Sequence, residues 1–345
     1  MEVVTIKDIA KMCGVATSTV SRAINEHSDI SPETRARIME AIEKTGFIPN
    51  NSARNLKRTE AKSIAVLVKG ITNPLFSHMI RIIEEEIEAQ KYTLVLRHVD
   101  SKEDEIDVAL TLIKEKRLAG LIFMGGEFVH SAGKLEKITV PYIFSTISAR
   151  PEEVSESTYS SIAVDDRKES KKMVSYLLDN GHRDIAIITN DTLDHSVGQL
   201  RMEGYLEAYR EHGIAVNKRL IRILSDEYDQ YSMMNGYQVT KELLRSKEPF
   251  TAIFCIADVL AIGACRALRE AGLLIPKDVS VAGFDGIELG DFVSPRLTTI
   301  RQPAEQMAHD TVQCLFEVIG GLKEHRHKTY EGELLIKEST KQIAT

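Results

Sequence analysis

The first 46 residues contain three runs in which apolar positions recur every three or four residues, the spacing that places them on one face of a helix. The first run follows Thr5, which forms a capping-box pattern with Asp8. The second spans 17–24, and the third spans 31–46, from a serine N-cap followed by proline to a glycine stop. Three short helices in close succession predict an all-α helix-turn-helix domain over 1–48.

Beyond residue 63 the pattern changes to short apolar runs separated by helical stretches, which is typical of a parallel α/β sheet. Ten strands are predicted, and the rhythm restarts near Ile162, which indicates two doubly wound lobes instead of one wide sheet. Small ligands bind such sheets beyond the carboxyl ends of the strands, so we expect a ligand in the cleft between the lobes. The predicted strands are 63–68, 93–97, 120–124, 142–145, 162–164, 185–189, 221–224, 252–256, 279–282 and 297–300.

The second predicted helix has a polar outer face that suits contact with DNA. Short hydroxyl side chains approach base edges or phosphates closely, and an arginine pairs with guanine through two hydrogen bonds. The alternative is an ordinary solvated helix face, since serine and threonine are common on protein surfaces. The side chains on this face are those of Thr17, Ser18, Ser21 and Arg22.

The polar segment 49–60 is too short to hold a helix by itself, and its simplest interpretation is a linker. The alternative is a hinge helix that folds only on DNA, because Ala53 and Leu56 share one face and Arg54 and Lys57 lie beside it. An exposed leucine of this kind can enter the minor groove and unstack a flexible pyrimidine–purine step.

The charge pattern argues against a protein that coats DNA without sequence preference. The chain has 345 residues and a net charge of −7, and residues 1–60 carry nine Lys or Arg against eight Asp or Glu. Attraction to phosphate is therefore weak, and DNA binding must depend on positioned contacts and on two heads acting together. A structural nucleoid protein would be more basic.

The chain length and the residue types restrict the number of domains, the cellular location and the cofactors that we expect. A chain of 345 residues exceeds a single hydrophobic core, so two or three domains are expected. No signal segment and no apolar run of about 18 residues is found, so we expect a cytoplasmic protein without membrane contact. The four cysteines are scattered and the ten histidines form no ligand set, so we expect reduced thiols and no metal or other cofactor. His325 and His327 are predicted to lie in a solvated loop.

Enzymes and secreted proteins fit the sequence less well. Neither a Gly-x-Ser-x-Gly nor a Gly-x-Gly-x-x-Gly motif occurs, and no nucleophile–base set stands out, so we predict no enzymatic activity. A secreted sugar-binding protein would share the two lobes, but it would need an export signal and would have no use for a DNA-binding head.

Several segments of the head carry a family resemblance. They resemble the head and hinge of the lac-repressor/gal-repressor (LacI/GalR) family, and the similarity continues through essentially the whole chain. The segments that carry it are Thr5 to Ala10, Gly14-Val15, Thr19 to Arg22, Asn25, Ser31 to Arg35, and Phe47 through Leu56.

The resemblance implies a role for each head residue that matches the family pattern. One departure is Ala16, where the family usually has a serine that caps the recognition helix and touches phosphate. Losing that cap lowers affinity by about 1 kcal/mol at the usual capping magnitude. The implied base readers are Thr17, Ser18 and Arg22, the implied phosphate contacts are Thr5, Thr19, Ser21, Asn25 and Thr34, and the implied minor-groove residues are Asn50, Ala53 and Leu56.

For the effector-binding and dimerisation domain, 61–345, the resemblance implies the fold of periplasmic sugar-binding proteins. In that fold the chain crosses three times between two parallel-sheet lobes. We expect the crossings near 162, 293 and 325, which assigns about 61–162 and 294–325 to the N-lobe and about 163–293 and 326–345 to the C-lobe.

Polar residues near the ends of predicted strands are candidates for an effector pocket. Each has a plainer explanation, such as a helix N-cap for Asp258 or a turn for Asp285. The resemblance favours Arg201 for effector hydroxyls or carboxylates, Asp285 for sugar hydroxyls, and Asp258 for a helix start that is structural as much as ligand-binding. The full candidate set is Asn73, Phe76, Gly125, Thr146, Arg201, Asp258 and Asp285.

Three departures from the family limit what can be carried over to the pocket. Gly70 lies where many relatives have an aspartate, and Thr146 and Ala257 replace polar groups that sugar-binding members often carry. The effector is therefore expected to differ from a plain hexose, and a bidentate arginine suits a sugar acid or a phosphate.

Together these observations predict a sequence-specific transcriptional regulator, most simply a repressor. It is expected to bind a pseudo-palindromic operator in double-stranded DNA as a homodimer, because each recognition helix reads one half-site. A small-molecule effector, a carbohydrate or a derivative of one, is expected to change the DNA affinity from the cleft. The alternative within the family is control by a protein corepressor that binds the N-terminal lobe.

Overall fold

The computed structural model of the chain contains two compact units, Met1–Glu60 and Ala61–Thr345, which we call the head and the two-lobed domain. The structure describes residues 4–24, 29–47, 61–148, 155–191, 195–322 and 324–343. Four predicted DNA contacts lie outside the described residues. They are Asn25, Asn50, Ala53 and Leu56.

The helices of the head begin and end at the predicted signals. The Asp8 carboxylate accepts hydrogen bonds from the backbone nitrogen and the hydroxyl of Thr5, at 2.8 and 2.6 Å. The Ser31 hydroxyl accepts from the backbone nitrogen of Thr34 at 3.3 Å, and Gly46 ends its helix with a φ of 62°. The helices of the described part are α1 (Ile6–Met12), α2 (Thr17–Ile24) and α3 (Pro32–Thr45).

A small hydrophobic core holds these helices together. Ile9, Val20 and Ile38, one from each helix, are fully buried, and Ala23 and Cys13 pack around them. A domain this small buries a modest fraction of its surface, so little stability remains after the conformational entropy is offset. Each of the three large side chains is therefore important for the fold.

The N-lobe of the two-lobed domain is built on a six-stranded sheet. Its strands are β1 (Ser63–Lys69), β2 (Thr93–Val99), β3 (Leu118–Met124), β4 (Tyr142–Ser145), β5 (Ser160–Val164) and β11 (His327–Tyr330). They pair in the order β11-β5-β4-β3-β1-β2, and every pair is parallel.

The C-lobe has a second six-stranded sheet. Its strands are β6 (Ile185–Thr189), β7 (Ile221–Ile223), β8 (Ala252–Cys255), β9 (Ser280–Asp285), β10 (Thr298–Arg301) and β12 (Glu333–Leu335). They pair in the order β12-β10-β9-β8-β6-β7. The pairing of β10 with β12 is antiparallel, and the other pairings are parallel.

Helices cover the sheets because the strands are apolar on both faces. In β1, Ile64 and Val66 belong to one hydrophobic cluster, whereas Ala65 and Leu67 belong to another on the opposite face. None of the described helices has the length and apolar character needed to cross a membrane. The helices are α4 (Pro74–Ala89), α5 (Glu105–Glu115), α6 (Ala132–Leu135), α7 (Asp166–Asp179), α8 (Val197–Glu211), α9 (Met233–Ser246), α10 (Asp258–Glu270), α11 (Leu289–Phe292) and α12 (Ala304–Ile319).

The chain crosses between the lobes through three short links. Asp165 connects β5 to α7, which begins the C-lobe. Gln302 and Pro303 connect β10 to α12, which returns to the N-lobe. Glu331 and Gly332 connect β11 in one sheet to β12 in the other.

The predicted fold class is confirmed, but the end of the chain differs from expectation. All ten predicted strands are present. The second and third crossings lie later than the expected positions near 293 and 325, because β10 still belongs to the C-lobe and β11 returns to the N-lobe. Both β11 and β12 were missed because they are short edge strands without an alternating apolar pattern. As a consequence, His327 begins β11 instead of lying in a loop.

Candidate functional site

The outer face of α2 has the exposure that contact with DNA requires. Val20 and Ala23 point into the head core, and Thr19 is partly buried beside them. The polar side chains that remain exposed are those predicted for this face, Thr17, Ser18, Ser21 and Arg22.

Arg22 has a partner that it can exchange. Its Nη1 lies 3.0 Å from Oδ2 of Asp29, and both side chains are more than half exposed, at 57% and 54%. Exposed ion pairs contribute about 0–1 kcal/mol. The guanidinium can therefore leave Asp29 for a base or a phosphate with little loss of stability.

Two predicted phosphate contacts lie at helix starts. Thr5 is the exposed N-cap residue of α1, and Thr34 lies in the first turn of α3. The Thr34 hydroxyl accepts a hydrogen bond from the Ser31 hydroxyl at 2.9 Å. Backbone N–H groups at helix N-termini favour anions, so both positions suit a phosphate oxygen.

A cavity of about 460 Å³ lies between the lobes of the two-lobed domain. Its walls come from the carboxyl ends of strands in both sheets, such as Lys69 at the end of β1 and Asp285 at the end of β9. This is where open parallel sheets bind ligands. Six of the seven candidate residues line it, namely Asn73, Phe76, Gly125, Thr146, Arg201 and Asp285.

Asp258 is the candidate that the structure places outside the cavity wall. Its carboxylate accepts hydrogen bonds from the Thr299 hydroxyl at 2.6 Å and from the backbone nitrogen of Ile287 at 2.9 Å. Complete burial raises the pKa of Asp258 to about 8. The residue lies at the start of α10 and connects this helix to the loop that follows β9, so its position fits a structural role.

Asp285 joins the two lobes at the floor of the cavity. Its carboxylate accepts hydrogen bonds from the side-chain amide of Asn73 in the N-lobe and from that of Gln302 at the second crossing, both at 2.8 Å. Burial raises the pKa of Asp285, although Arg201 and the two amides oppose this shift. Asn73 also caps α4, since its side-chain oxygen accepts from the backbone nitrogen of Leu75.

Arg201 is fixed on every side. Its Nε and Nη2 both lie 2.8 Å from Oδ1 of Asp166, and its Nη1 donates to the carbonyl of Ile256 and lies 3.6 Å from Oδ1 of Asp285. Its guanidinium carbon lies 3.7 Å from the centre of the Phe284 ring. Burial opposes the charge, but the Asp166 and Asp285 carboxylates raise the pKa of Arg201. Burial raises the pKa of Asp166 to about 6.

A second cation, the partly buried Lys69, lies on the N-lobe wall. Its Nζ donates to Oε2 of Glu105 at 3.2 Å, to Oε1 of Glu127 at 3.3 Å and to the carbonyl of Glu103 at 3.0 Å. Burial lowers the pKa of Lys69, but Glu105 and Glu127 outweigh this effect and raise it. The ammonium group is therefore held in place by the protein itself.

Other contacts between the lobes border the cavity. The Thr72 hydroxyl donates to the Tyr231 carbonyl at 3.1 Å, and the backbone nitrogen of Phe128 donates to the His195 carbonyl at 2.8 Å. Gly70 faces the Tyr231 ring, since a Cβ at Gly70 would lie 3.3 Å from its Cδ2 atom. The glycine that departs from the family pattern thus makes room for an aromatic wall.

Several residues of the site are not among the candidates predicted from the sequence. Lys69 ends β1, Asp166 is the second residue after β5, and Gln302 follows β10 directly. The strand-end criterion that selected the other candidates applies to these three as well, so that signal was available. Tyr231 carries no such signal, because it lies in the long loop between β7 and α9.

Comparison with known proteins agrees with both units. Residues 5–50 match the model of the lacI family of bacterial regulatory proteins, and residues 174–340 match a periplasmic binding protein-like domain. The HTH-type transcriptional regulator MalR of Clostridium butyricum is 36% identical over 336 residues, which cover 97% of this chain and 98% of MalR.

Solved structures give the same result. The lac repressor dimer bound to operator and the anti-inducer ONPF has a TM-score of 0.73 and 25% identity, covering 98% of this chain and 99% of that one. A complex of the transcriptional regulator CelR with cellobiose has a TM-score of 0.69 and 25% identity, covering 97% and 99%. The relatives are transcriptional regulators and not enzymes. This chain is a transcriptional regulator that belongs to the LacI family of bacterial regulatory proteins.

Proposed function

We propose that this protein is a cytoplasmic repressor that binds a pseudo-palindromic operator as a homodimer and whose DNA affinity is set by a carbohydrate or a carbohydrate derivative. The observation that carries the proposal is the cavity of about 460 Å³ whose polar floor is assembled from both lobes. A ligand that contacts Asn73 and Asp285 changes the lobe contact directly, since these two residues bond across the cleft. A difference in affinity between two arrangements of the lobes is what couples a ligand to DNA binding.

The exposed face of α2 supports DNA reading by the head. We assign Thr17, Ser18 and Arg22 to bases, and Thr5, Thr19, Ser21, Asn25 and Thr34 to phosphates. The first experiment is selection of bound duplexes from a random pool with the purified full-length chain. Enrichment of a pseudo-palindrome with a flexible central step supports the proposal. A single unpaired half-site would contradict dimeric recognition, and light scattering of the complex would give the stoichiometry.

Minor-groove contact by Asn50, Ala53 and Leu56 is part of the same proposal. The apolar side chain of Leu56 is the proposed wedge, because unstacking of a base step is offset by the additional protein surface that bent DNA meets. We expect Leu56→Ala to weaken binding to the selected site much more than binding to an unrelated duplex. Equal losses on both duplexes would exclude the wedge.

Effector control is tested by a ligand-dependent change in operator affinity, in either direction. We would measure operator affinity by fluorescence anisotropy across a panel of neutral and acidic sugars, and then repeat the measurement with Arg201→Lys. Lysine keeps the charge but loses the planar fork of donors, so the response to the active sugar should fall at least about tenfold while affinity without ligand is retained. The matched control is Arg210→Lys, an exposed change on the same helix. A response only to a protein partner would favour the corepressor alternative.

A further inference from the structure

Two cations of the cavity, the buried Arg201 and the partly buried Lys69, already have carboxylate partners. Arg201 is held by Asp166 at 2.8 Å and lies 3.6 Å from Asp285. Lys69 lies 3.2 Å from Glu105 and 3.3 Å from Glu127. Two carboxylates therefore lie near each cation, and their combined negative charge exceeds its positive charge. The positive potential that would attract an anion is thus cancelled.

The remainder of the cavity wall adds negative charge. Among the charged residues that line it, three are basic and six are acidic. An anionic ligand would lose its hydration in a field of its own sign, which disfavours binding. An uncharged hydroxylated ligand meets both donors and acceptors and loses much less. The charged wall residues are Lys69, Lys102 and Arg201 against Asp100, Glu127, Asp226, Glu227, Asp229 and Asp285.

Two of the four matching carboxylates lie behind the cations. Asp166 and Glu105 do not line the cavity, and they are 1% and 3% exposed. Glu105 is fixed by the backbone nitrogen of Glu127, which donates to its Oε1 at 2.8 Å. With a pKa of about 6, Asp166 remains a carboxylate at pH 7.5. Neither side chain touches a ligand in the cavity, so each acts on it only through Arg201 or Lys69.

We propose that Asp166 and Glu105 determine the ligand class of the cavity: by neutralising Arg201 and Lys69 they make it select uncharged hydroxylated molecules over anions of the same shape. The inference rests on the effector site proposed above and narrows it. It also replaces the expectation, drawn from the arginine alone, that a sugar acid or a phosphate is the effector.

The test uses the full-length protein and inorganic phosphate as the anionic probe, because this titration needs neither DNA nor an identified effector. The variants are Asp166→Asn and Glu105→Gln, and the control is Glu270→Gln, which makes the same charge change at the exposed end of α10. Phosphate binding is measured at pH 7.5 by isothermal titration against sodium chloride of matched ionic strength.

We expect phosphate affinity to rise at least about tenfold in Asp166→Asn and in Glu105→Gln, and to stay unchanged in Glu270→Gln. The gain should disappear when the cation is also removed, as in Asp166→Asn with Arg201→Met or Glu105→Gln with Lys69→Met. A purely structural role would not create affinity for an anion. Unchanged affinity in both folded variants would overturn the proposal.

A measurement on the wild-type chain keeps the test decisive if neither variant folds. In ¹⁵N-labelled protein, the Nε–H resonance of Arg201 should not move when phosphate is added. A saturable shift would mean that the guanidinium is available to anions, and the proposal would be wrong. If no sugar changes the operator affinity in either direction, the proposed effector control is wrong, but these phosphate results are unaffected.

Discussion

The head and the two-lobed domain present their functional side chains in opposite ways. In the head, the candidate base readers are exposed on the eight-residue helix α2, and they come from neighbouring positions. In the two-lobed domain, Asn73, Arg201 and Asp285 are 4%, 4% and 2% exposed, and Asn73 bonds to a residue 212 positions away. A substitution on the exposed face of α2 therefore leaves the fold of the head unchanged. A substitution in the cavity alters both the buried charges and the contacts between the lobes.

The largest expected effect is the loss of stability when a side chain in the small core of the head is truncated. Ile38→Ala should destabilise the head by about 3 kcal/mol, because a fully buried isoleucine is replaced and few other side chains hold the three helices. DNA binding should be abolished while the two-lobed domain keeps its stability. Hydrogen exchange, resolved by segment, measures both units in one sample. The control is Met39→Ala at an exposed neighbour, and equal destabilisation of both units by Ile38→Ala would contradict this prediction.

A buried acid gives the two-lobed domain a pH dependence. The pKa of Asp258 is raised by burial to about 8, so between about pH 4 and 8 the folded state holds a proton that the unfolded state has released. The stability that this carboxyl contributes is present in full below that window and is lost as the pH rises through 8. The free energy of unfolding of the wild type, relative to Asp258→Asn, should therefore fall by about 1–3 kcal/mol from pH 5 to 8.

Denaturant titrations at several pH values measure this difference. Glu115→Gln, an exposed carboxyl at the end of α5, provides the control. A difference that rises with pH would mean that the Asp258 carboxylate is stabilised by its hydrogen bonds more than it is destabilised by burial.

The variant Asn73→Ser tests what the hydrogen bond between the lobes contributes beyond the capping of α4. Serine keeps an oxygen for capping α4 but lacks the amide that donates to Asp285, so we expect a loss of about 1–2 kcal/mol in stability and a weaker response to the effector. The control is Asn217→Ser, which makes the same change at a helix N-cap that lies within the C-lobe and does not bridge the lobes. If both variants lose the same amount, the bond across the cleft contributes nothing beyond capping.

The smallest expected effect is a gain in the stability of the head. The Ala16 carbonyl accepts from the backbone nitrogens of Thr19 and Val20 at 2.9 and 3.2 Å, so Ala16 already has the N-cap position of α2. Ala16→Ser adds the missing side-chain acceptor and should stabilise the head by about 0.5–1 kcal/mol. Thermal unfolding of the head and operator affinity are the measurements. Ala36→Ser, inside α3, should be neutral or slightly destabilising, and an equal gain there would rule out a capping effect.

What the sequence predicts well in this protein is local. The head helices were placed because their start and stop residues act through hydrogen bonds within four positions, as Ser31 and Thr34 do. The strands were placed because burial on both faces gives continuous apolar runs. Edge strands such as β11 have no such pattern, since His327 and Lys328 in it are exposed, and their pairing is fixed only by the tertiary fold.

The chemistry of the cavity was harder to predict because it depends on distant partners. Arg201 was identified, but its neutralisation by Asp166, 35 positions earlier, was not. Asp258 was a candidate because, like Asp285, it follows a predicted strand, and a structural role at a helix start was left open for it. Its hydrogen bonds run to Thr299 and Ile287. A strand-end position predicts proximity to a cleft, whereas the side chain's orientation depends on packing that no local pattern encodes.

The three short links between the lobes also restrict how the lobes can move. Gly332 packs so closely against β10 that a Cβ there would lie 2.5 Å from Cγ2 of Ile300, and the stretch from Tyr330 to Glu333 spans at most about 10 Å. Tethers this short prevent the lobes from sliding or separating, and they leave rotation about a line through the links. Asp166 and Gln302 lie at or beside two of these links, close to that axis, where displacement is smallest. A rotation about this line displaces the floor of the cavity least, and the ion pair of Asp166 with Arg201 keeps its geometry because both residues belong to the C-lobe.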